Sequence, residues 1–454
     1  MPPDAETLAL IKSLEEDLKK QAAACVERDR WYSGEHPVPA LTASSKATEA
    51  YKALIEEARS NWCEIVVDAV EERLAVIGFR FGSDPGQDET DDLDVWRGIW
   101  QANGLDAGQI TAHREALIHG ACPVLVWPGD DGGHPVVSIE DPQQVVVRYD
   151  SRARRRRVAA LKVWTEGTSK TWVLYRPDSV EWWVAEKSED PARAELDEEH
   201  SGPNPLGVVP IVELENKTRV GKPPSAEINA TVVSIQKRIN RTLFGRMLAT
   251  EFAAFRQRWA TGLEIPTDPE TQTAVEPFKA AVDRLWISED PDTKFGEFSE
   301  SDLNGYIKSI EADVQHLAAV THTPPHYVLG NMVNISGDAL KAAEAGLISK
   351  CRSRQTTFGE RWEEIIRLAL RSTGDERADD LSCAVLWRDS EYRTEGELVD
   401  ALVKMRTLGV PLTVLWARWG ATPQDIARWS ALADAGQADT ADPTDTPPPD
   451  PAPN

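Results

Sequence analysis

The side chains that could do chemistry are few, and none completes a set. His316, His322 and His326 stand near one another as metal ligands often do, but Pro324 and Pro325 interrupt their spacing. No cysteine or carboxylate completes a tetrahedral site there, so no metal is expected. The stretch "VGKPPS" (220–225) begins like a phosphate-binding loop, yet proline follows the lysine where Ser or Thr would hold magnesium. "PGDDGGHP" (128–135) reads as a hairpin turn. "DETDDLD" (88–94) lacks the central glycine of a calcium loop and reads as a solvated acidic loop. Neither H-E-x-x-H nor G-x-S-x-G occurs, so neither a catalytic constellation nor a cofactor is expected. The basic run "SRARRRR" (151–157) leaves two readings open. Arg154, Arg155, Arg156 and Arg157 form either a contact for nucleic acid or an acidic partner, or a solvated hairpin tip.

Composition narrows the class. The 454 residues carry a formal charge of −25, which argues against a surface that grips nucleic acid throughout, though not against one that a duplex slides past. With 41% hydrophobic and 28% charged residues the chain can bury real cores. Its length exceeds one compact core, so several domains or a multi-part subunit are expected. "MPPDAETLAL" lacks the basic and apolar regions of a signal peptide, and no run is apolar enough to span a membrane, so a soluble protein made in a cytoplasm is expected. The five cysteines are odd in number and scattered, which suggests buried small hydrophobes. The 16 tryptophans are spread out, which suggests separate packing sites.

The elements that must carry these residues follow from periodicity. Residues 5–32 read as a helix with Leu8, Ile11, Leu14 and Leu18 on one face, ended by Gly34 and Pro37. "NWCEIVVDAVEERLAVIGF" (61–79) reads as a second helix opened by a capping box of Asn61 and Glu64. From 123 to 214, β-branched and aromatic runs punctuated by Gly, Asp and Pro predict antiparallel strands, with 187–205 as a polar loop. Two long helical patterns, 225–258 and 301–321, bracket a Pro- and Asp-rich insertion. The next helix, 337–372, is preceded by a loop carrying Met332, Val333 and Ile335 where polar residues would be ordinary. Ala339, Ala342, Ala343 and Gly346 give that helix a small-residue face that another helix can approach closely. "AVLW" reads as a strand, helices follow from Thr394 and Thr422, and residues from Asp434 onward read as a disordered tail.

Three segments, "NWCEIVVDAVEERLAVIGF" (61–79), "INRTLFGRMLATEFAAFRQRWATG" (239–262) and "PPHYVLGNMVNISGDALKAAEAGLISK" (324–350), resemble the portal proteins of tailed double-stranded DNA bacteriophages, actinobacterial siphophages in particular. The resemblance implies an α+β, mainly helical subunit with long stem and tunnel helices and a small antiparallel β component. It implies a wing at 1–224, stem helices at 225–258 and 301–322, and a clip at 259–300. The tunnel loop would span 323–337, a tunnel helix returning to the wing 338–390, and a crown 391–433. Such proteins form a dodecameric ring at one capsid vertex, through which DNA is packaged, retained and ejected.

The implied partners are further copies of the chain, double-stranded DNA read without sequence specificity, a terminase packaging ATPase, capsid and scaffold proteins, and a head-tail adaptor, with no membrane. The implied location is the virion, with assembly in the host cytoplasm, and no enzymatic activity is implied. Asn331, Met332, Val333, Asn334 and Ile335 would face the bore, where apolar and amide groups touch DNA without the cationic grip on phosphate that opposes sliding. Other readings are a head-closure or capsid protein, or a nucleic-acid enzyme.

Overall fold

The structure is a computed structural model that describes residues 2–36, 54–82, 90–130, 133–153, 155–254, 258–262, 292–297, 302–329, 337–391, 395–421 and 423–440. The chain divides into two compact units. One comprises Met1–His36, Asn61–Ser234 and Leu317–Asn454, and the other Pro37–Ser60 and Ile235–His316.

In the first unit, α1 (Ala5–Tyr32) opens with the Asp4 carboxylate accepting a hydrogen bond from the Thr7 backbone N–H at 2.7 Å. Of the expected face, Ile11, Leu14 and Leu18 are buried and Leu8 is half-buried. They pack on one face of a five-stranded antiparallel sheet, against Leu161, Trp172, Leu174 and Trp183. The opposite face buries Val145, Ala160, Val173 and Tyr175, so the sheet is covered on both sides.

After α1 the segment 61–79 departs from the expected single helix. α2 covers only Cys63–Glu71, and Val76–Arg80 form strand β1, which pairs antiparallel with Ala384–Trp387. The residues that prolong the apparent helix, Val76, Ile77 and Phe79, are β-branched or aromatic and suit a buried strand better. The expected capping box is absent too. Trp62 holds the N-cap position with no side-chain bond that caps the helix. The Asn61 amide donates to the Tyr32 carbonyl at 2.6 Å and to the Glu64 carboxylate at 3.3 Å, rather than either side chain capping a backbone N–H.

A short α3 (Thr90–Val95) runs into a π-helical turn, Trp96–Gln101, which stacks Trp96 on Trp100 with ring centroids 5.3 Å apart. α4 (Leu105–His119) follows, ended by Gly120 at φ +95°. A Cβ at Gly120 would lie 2.9 Å from the Pro224 carbonyl, so this turn needs glycine for space as well as conformation.

Strands β2 (Ala121–Trp127), β3 (Val136–Ile139) and β9 (Ile211–Glu215) form one sheet in the order β3-β2-β9. Strands β4 (Val145–Tyr149), β5 (Arg157–Glu166), β6 (Ser169–Tyr175), β7 (Ser179–Glu186) and β8 (Glu195–Pro203) form the larger sheet in sequence order. β8 lies inside the stretch expected to be loop. It is a polar, largely exposed edge strand that, among the described residues, pairs with β7 alone, so it lacks the apolar alternation that marks a half-buried strand.

α5 (Ala230–Ala254), the hairpin β10 (Arg258–Thr261) and β11 (Lys294–Glu297), and α6 (Asn304–Thr321) come next. The boundary between the units falls inside both helices. Within the second unit, Ile235, Ile239, Leu243 and Val314 are buried. Arg238 donates to Asp313 at 2.9 Å and contacts His316 at 3.2 Å. Ile307, on the expected α6 stripe, remains 41% exposed.

The first unit then resumes with α7 (Pro325–Leu329), α8 (Gly337–Thr373) and strand β12 (Ala384–Trp387). Three helices close it: α9 (Glu395–Thr407), α10 (Leu412–Trp419) and α11 (Pro423–Thr440). α11 continues past Asp434, into the stretch expected to be disordered. Ala433, Ala435 and Ala438 favour helix there. All five cysteines are buried, and none is in a disulfide.

Candidate functional site

Where β9 ends, the chain is drawn in tightly by backbone bonds. The Asn216 N–H donates to the Gly120 carbonyl at 2.7 Å, and the Glu227 N–H donates to the Leu117 carbonyl at 2.8 Å. The Asn216 amide spans the turn between them, donating to the Ser225 carbonyl at 2.9 Å and to the Glu227 carboxylate at 3.3 Å. These bonds place Glu227, only 1% exposed, just before the start of α5.

Three cations meet that carboxylate: Lys217 at 2.6 Å, Arg354 at 2.8 Å and Lys350 at 2.9 Å. Burial pushes the Glu227 carboxyl up, but the charges of Lys350, Lys217 and Arg354 outweigh it and hold the group well below the usual carboxylate range. Burial also draws the Lys350 ammonium below its ordinary value, against the pull of Glu227.

Lys350 makes a second bond, donating to the Thr321 carbonyl at 3.0 Å. That carbonyl belongs to the last residue of α6, where a cation also meets the negative end of the helix dipole. One side chain of α8 thus ties the approach to α5 to the exit of α6. Four residues earlier on α8, Gly346 lies against His322, which itself has φ +57°.

The chain beyond Thr321 is held from the other side. The Trp62 indole donates to the Val328 carbonyl at 3.4 Å. Arg73 donates to the Tyr327 hydroxyl at 2.8 Å and to the Ser390 carbonyl at 2.9 Å. Glu344 on α8 lies 3.4 Å from Arg73 and 3.6 Å from His326. Residues 321–329 and the first described turns of α8 therefore share one set of polar contacts. Between them runs the stretch 330–336.

The expected site residues fare differently. Asn331, Met332, Val333, Asn334 and Ile335 lie outside the described residues, as do Arg154 and the side chain of Ala339. Ala342 and Ala343 are exposed, while Gly346 packs on His322. In the basic run, Arg155 pairs with Glu360 at 3.0 Å, with both side chains largely exposed. Arg156 is exposed. Arg157 is buried, donating to the Val209 carbonyl at 3.1 Å and to Glu364 at 2.5 Å. Arg361 beside them bonds Glu215 and Glu364. This part of the run is thus tied to α8 of its own chain. Of the three histidines, His316 meets Arg238, His322 packs on Gly346 and His326 faces Glu344, so each is engaged separately.

Sequence reasoning did not find Glu227, Lys350 or Arg354. The available signal was on α8, where Gly346, Lys350 and Arg354 repeat every four residues beside Leu347 and Cys351, which are fully buried. Polar residues that extend a buried stripe call for a buried partner.

The C-terminal half of α8 is built from rings. Trp362 donates from its indole nitrogen to His113 Nε2 at 2.9 Å, which fixes the tautomer, since His113 Nδ1 must then carry the proton it donates to the Leu74 carbonyl at 3.2 Å. His113 also stacks on Phe358, with centroids 5.2 Å apart. Complete burial pushes its pKa down to about 3, so it is neutral throughout the physiological range.

Comparison with known proteins gives a consistent result. A family model described as phage portal protein, SPP1 Gp6-like, matches residues 11–436. The portal protein of Mycobacterium phage D29 is 31% identical over 357 residues, covering 75% of this chain and 71% of that protein. The portal protein of Mycobacterium phage L5 is 31% identical over 360 residues, with the same coverage.

Proposed function

The chain belongs to the SPP1 Gp6-like family of phage portal proteins and has the portal function of that family, and from this premise we propose how its parts divide the work. The family is a structural one whose members form rings in the virion. In the proposed division, residues 1–224 and 338–390 make the wing and the tunnel helix. Residues 225–258 and 301–322 make the stem, 259–300 the clip, 391–433 the crown and 323–337 the tunnel loop. The ring is a dodecamer, double-stranded DNA passes along its axis, and a terminase ATPase that docks at the clip supplies the energy, so the chain needs no catalytic activity of its own. Capsid and scaffold proteins and a head-tail adaptor are the other partners, and assembly takes place in the host cytoplasm.

The observation that carries this reading is the anchoring on both sides of 330–336. A loop that meets a moving duplex must be held at its base, and here Trp62, Arg73, Glu344 and Lys350 fasten the chain before and after it. In this reading Asn331, Met332, Val333, Asn334 and Ile335 touch DNA without ionic bonds, so the contact leaves the duplex free to slide. The exposed small residues Ala342 and Ala343 give a neighbouring subunit's helix room to approach.

Two measurements test the proposal. Light scattering with negative-stain imaging should give a particle of about 600 kDa, twelve chains of 50.2 kDa, with a central hole. A compact dimer without a hole would overturn it. Replacing Asn331 and Asn334 by Lys should leave ring assembly intact and impair DNA packaging or retention. Unchanged packaging by such rings would remove the loop from the DNA path.

A further inference from the structure

The end of the chain carries an apolar cleft that the functions above do not use. Helices α9, α10 and α11 enclose about 470 Å³ lined by Val399, Val403, Leu415, Trp416, Trp419 and Trp429, with Arg406 at its edge. Val403 is 56% exposed and Trp419 is 49% exposed, so large apolar surface faces outward. The three indoles are mutually arranged. Trp416 meets Trp429 edge to face at 5.6 Å, and Trp419 lies tilted on Trp429 at 5.8 Å. Among the described residues, none of the three indole N–H groups meets an acceptor and Arg406 meets no carboxylate.

Aromatic rings edged by free N–H donors are what a polyproline segment needs. Its prolines fill the grooves between rings, and its carbonyls, having no partners within the helix, accept from indole N–H groups. Such a segment follows α11 directly, in "ADPTDTPPPDPAPN" (441–454), which lies outside the described residues. It carries Asp442, Asp445 and Asp450 and no basic residue, so its charge complements Arg406. Its length also suffices. Helix from Trp429 to Thr440 rises roughly 16 Å, and the seven steps from Thr440 to Pro447 in polyproline form span roughly 22 Å, enough to turn back to the rings.

We propose that residues 447–451, "PPPDP", dock in the cleft between Trp416, Trp419 and Trp429, with Asp450 directed toward Arg406. The segment is the chain's own, since it follows α11 directly and reaches back to the rings. The inference does not depend on the assignment of the tunnel loop, and it survives or fails separately from it.

The test is hydrogen exchange of the backbone amides of residues 412–432 in the full chain and in a chain ended after Thr440. Docking predicts exchange about tenfold slower with the segment present. Replacing Pro447, Pro448 and Pro449 together by Ser should reproduce the truncation, and Trp419→Ala should erase the difference between long and short chains. A fluorescein-labelled peptide of residues 441–454 should bind the shortened chain saturably and the full chain at least about tenfold more weakly, because the site is already filled. Equal exchange in full and shortened chains would overturn the proposal. So would protection that rises with protein concentration but ignores the segment, since a second copy would then cover the cleft. A proline triple variant that behaves like its parent would also overturn it, and that variant changes only residues beyond the described fold.

Discussion

Along α8, Glu344, Lys350 and Arg354 meet charges at inward positions, whereas the fully buried positions of 358–369 meet rings and aliphatic side chains. In the first half Glu227 is shared by Lys217, Lys350 and Arg354, and Glu344 faces Arg73. In the second, Phe358, Trp362, Ile365 and Ile366 are fully buried against His113 and its surroundings. Apolar packing is non-directional and supplies most of the stability. Buried ion pairs add little net stability against apolar replacements of the same shape, but they are strict about geometry and costly to leave incomplete. The second half therefore holds α8 to the body of the unit. The first fixes where the approach to α5, the end of α6 and the segment leading to residue 330 stand relative to α8.

The largest effects come from breaking each half at its centre. Glu227→Ala leaves Lys350 and Arg354 buried without a counter-charge and should cost about 3–5 kcal/mol. Trp362→Ala opens a cavity and frees His113 Nε2, and should also cost about 3–5 kcal/mol. The comparison is sharpened by which region loosens, read by hydrogen exchange. Glu227→Ala should speed exchange in 321–329 and the first turns of α8 more than in α4, and Trp362→Ala should do the reverse. If both variants loosen the same residues, the two halves are one cooperative unit and the contrast is void. Lys350→Met should be milder, about 1.5–3 kcal/mol, because it removes the bond to the Thr321 carbonyl while Lys217 and Arg354 still satisfy Glu227.

Acid separates the halves in an unexpected order. The folded His113 has a pKa near 3 against an ordinary histidine value of 6.5, so between those values the unfolded chain binds the extra proton. Stability from this site is complete above pH 6.5 and falls as pH drops toward about 3. Glu227 has a folded pKa below the ordinary glutamate value of 4.5, so its contribution is present above 4.5 and is lost only below it. The dry half is therefore the first to respond to acid. Urea unfolding from pH 7 to pH 5 should show a decline that His113→Gln removes, since a neutral amide keeps both a donor and an acceptor. A decline unchanged in that variant would assign it to other groups, but not to His119, which works in the opposite direction. Burial lowers the His119 pKa, but bonding to Cys25 and Glu115 and the charge of Asp29 carry it up to about 9, so its stabilisation is complete below 6.5 and fades as pH rises toward 9.

The ring-built half was more legible in the sequence than the charged half, for a physical reason. Ile11, Leu14 and Leu18 on α1, and the long pattern of α8, announce themselves because apolar burial repeats with the helical period. Polar edges do not, which is why β8 reads as loop. Apolar content without its partner misleads, which is why Val76–Arg80 extends α2 on paper until Ala384–Trp387 pairs with it. A buried carboxylate is harder still, since nothing near Glu227 in sequence shows that Lys350 and Arg354 will reach it. The family resemblance pointed to the stretch 330–336, whereas the contacts that fasten the described chain before and after it are all long-range and had to come from the fold.

The smallest effect is expected in the basic run, and it tests whether burial rather than charge decides which contacts matter along α8. Arg155 and Arg157 both meet glutamates one turn apart on that helix, Glu360 and Glu364. Arg157 is buried and also donates to the Val209 carbonyl, so Arg157→Ala should cost about 1.5–3 kcal/mol through lost charge-assisted bonds and an unpaired carbonyl. Arg155 lies in solvent with its partner, where screening and side-chain entropy cancel most of the attraction, so Arg155→Ala should leave the unfolding midpoint unchanged. If Arg155→Ala instead reduces incorporation into procapsids with stability intact, that arginine serves a partner in the assembled particle. Equal destabilisation by the two variants would mean that the pairs act as one network, and exposure would no longer separate them.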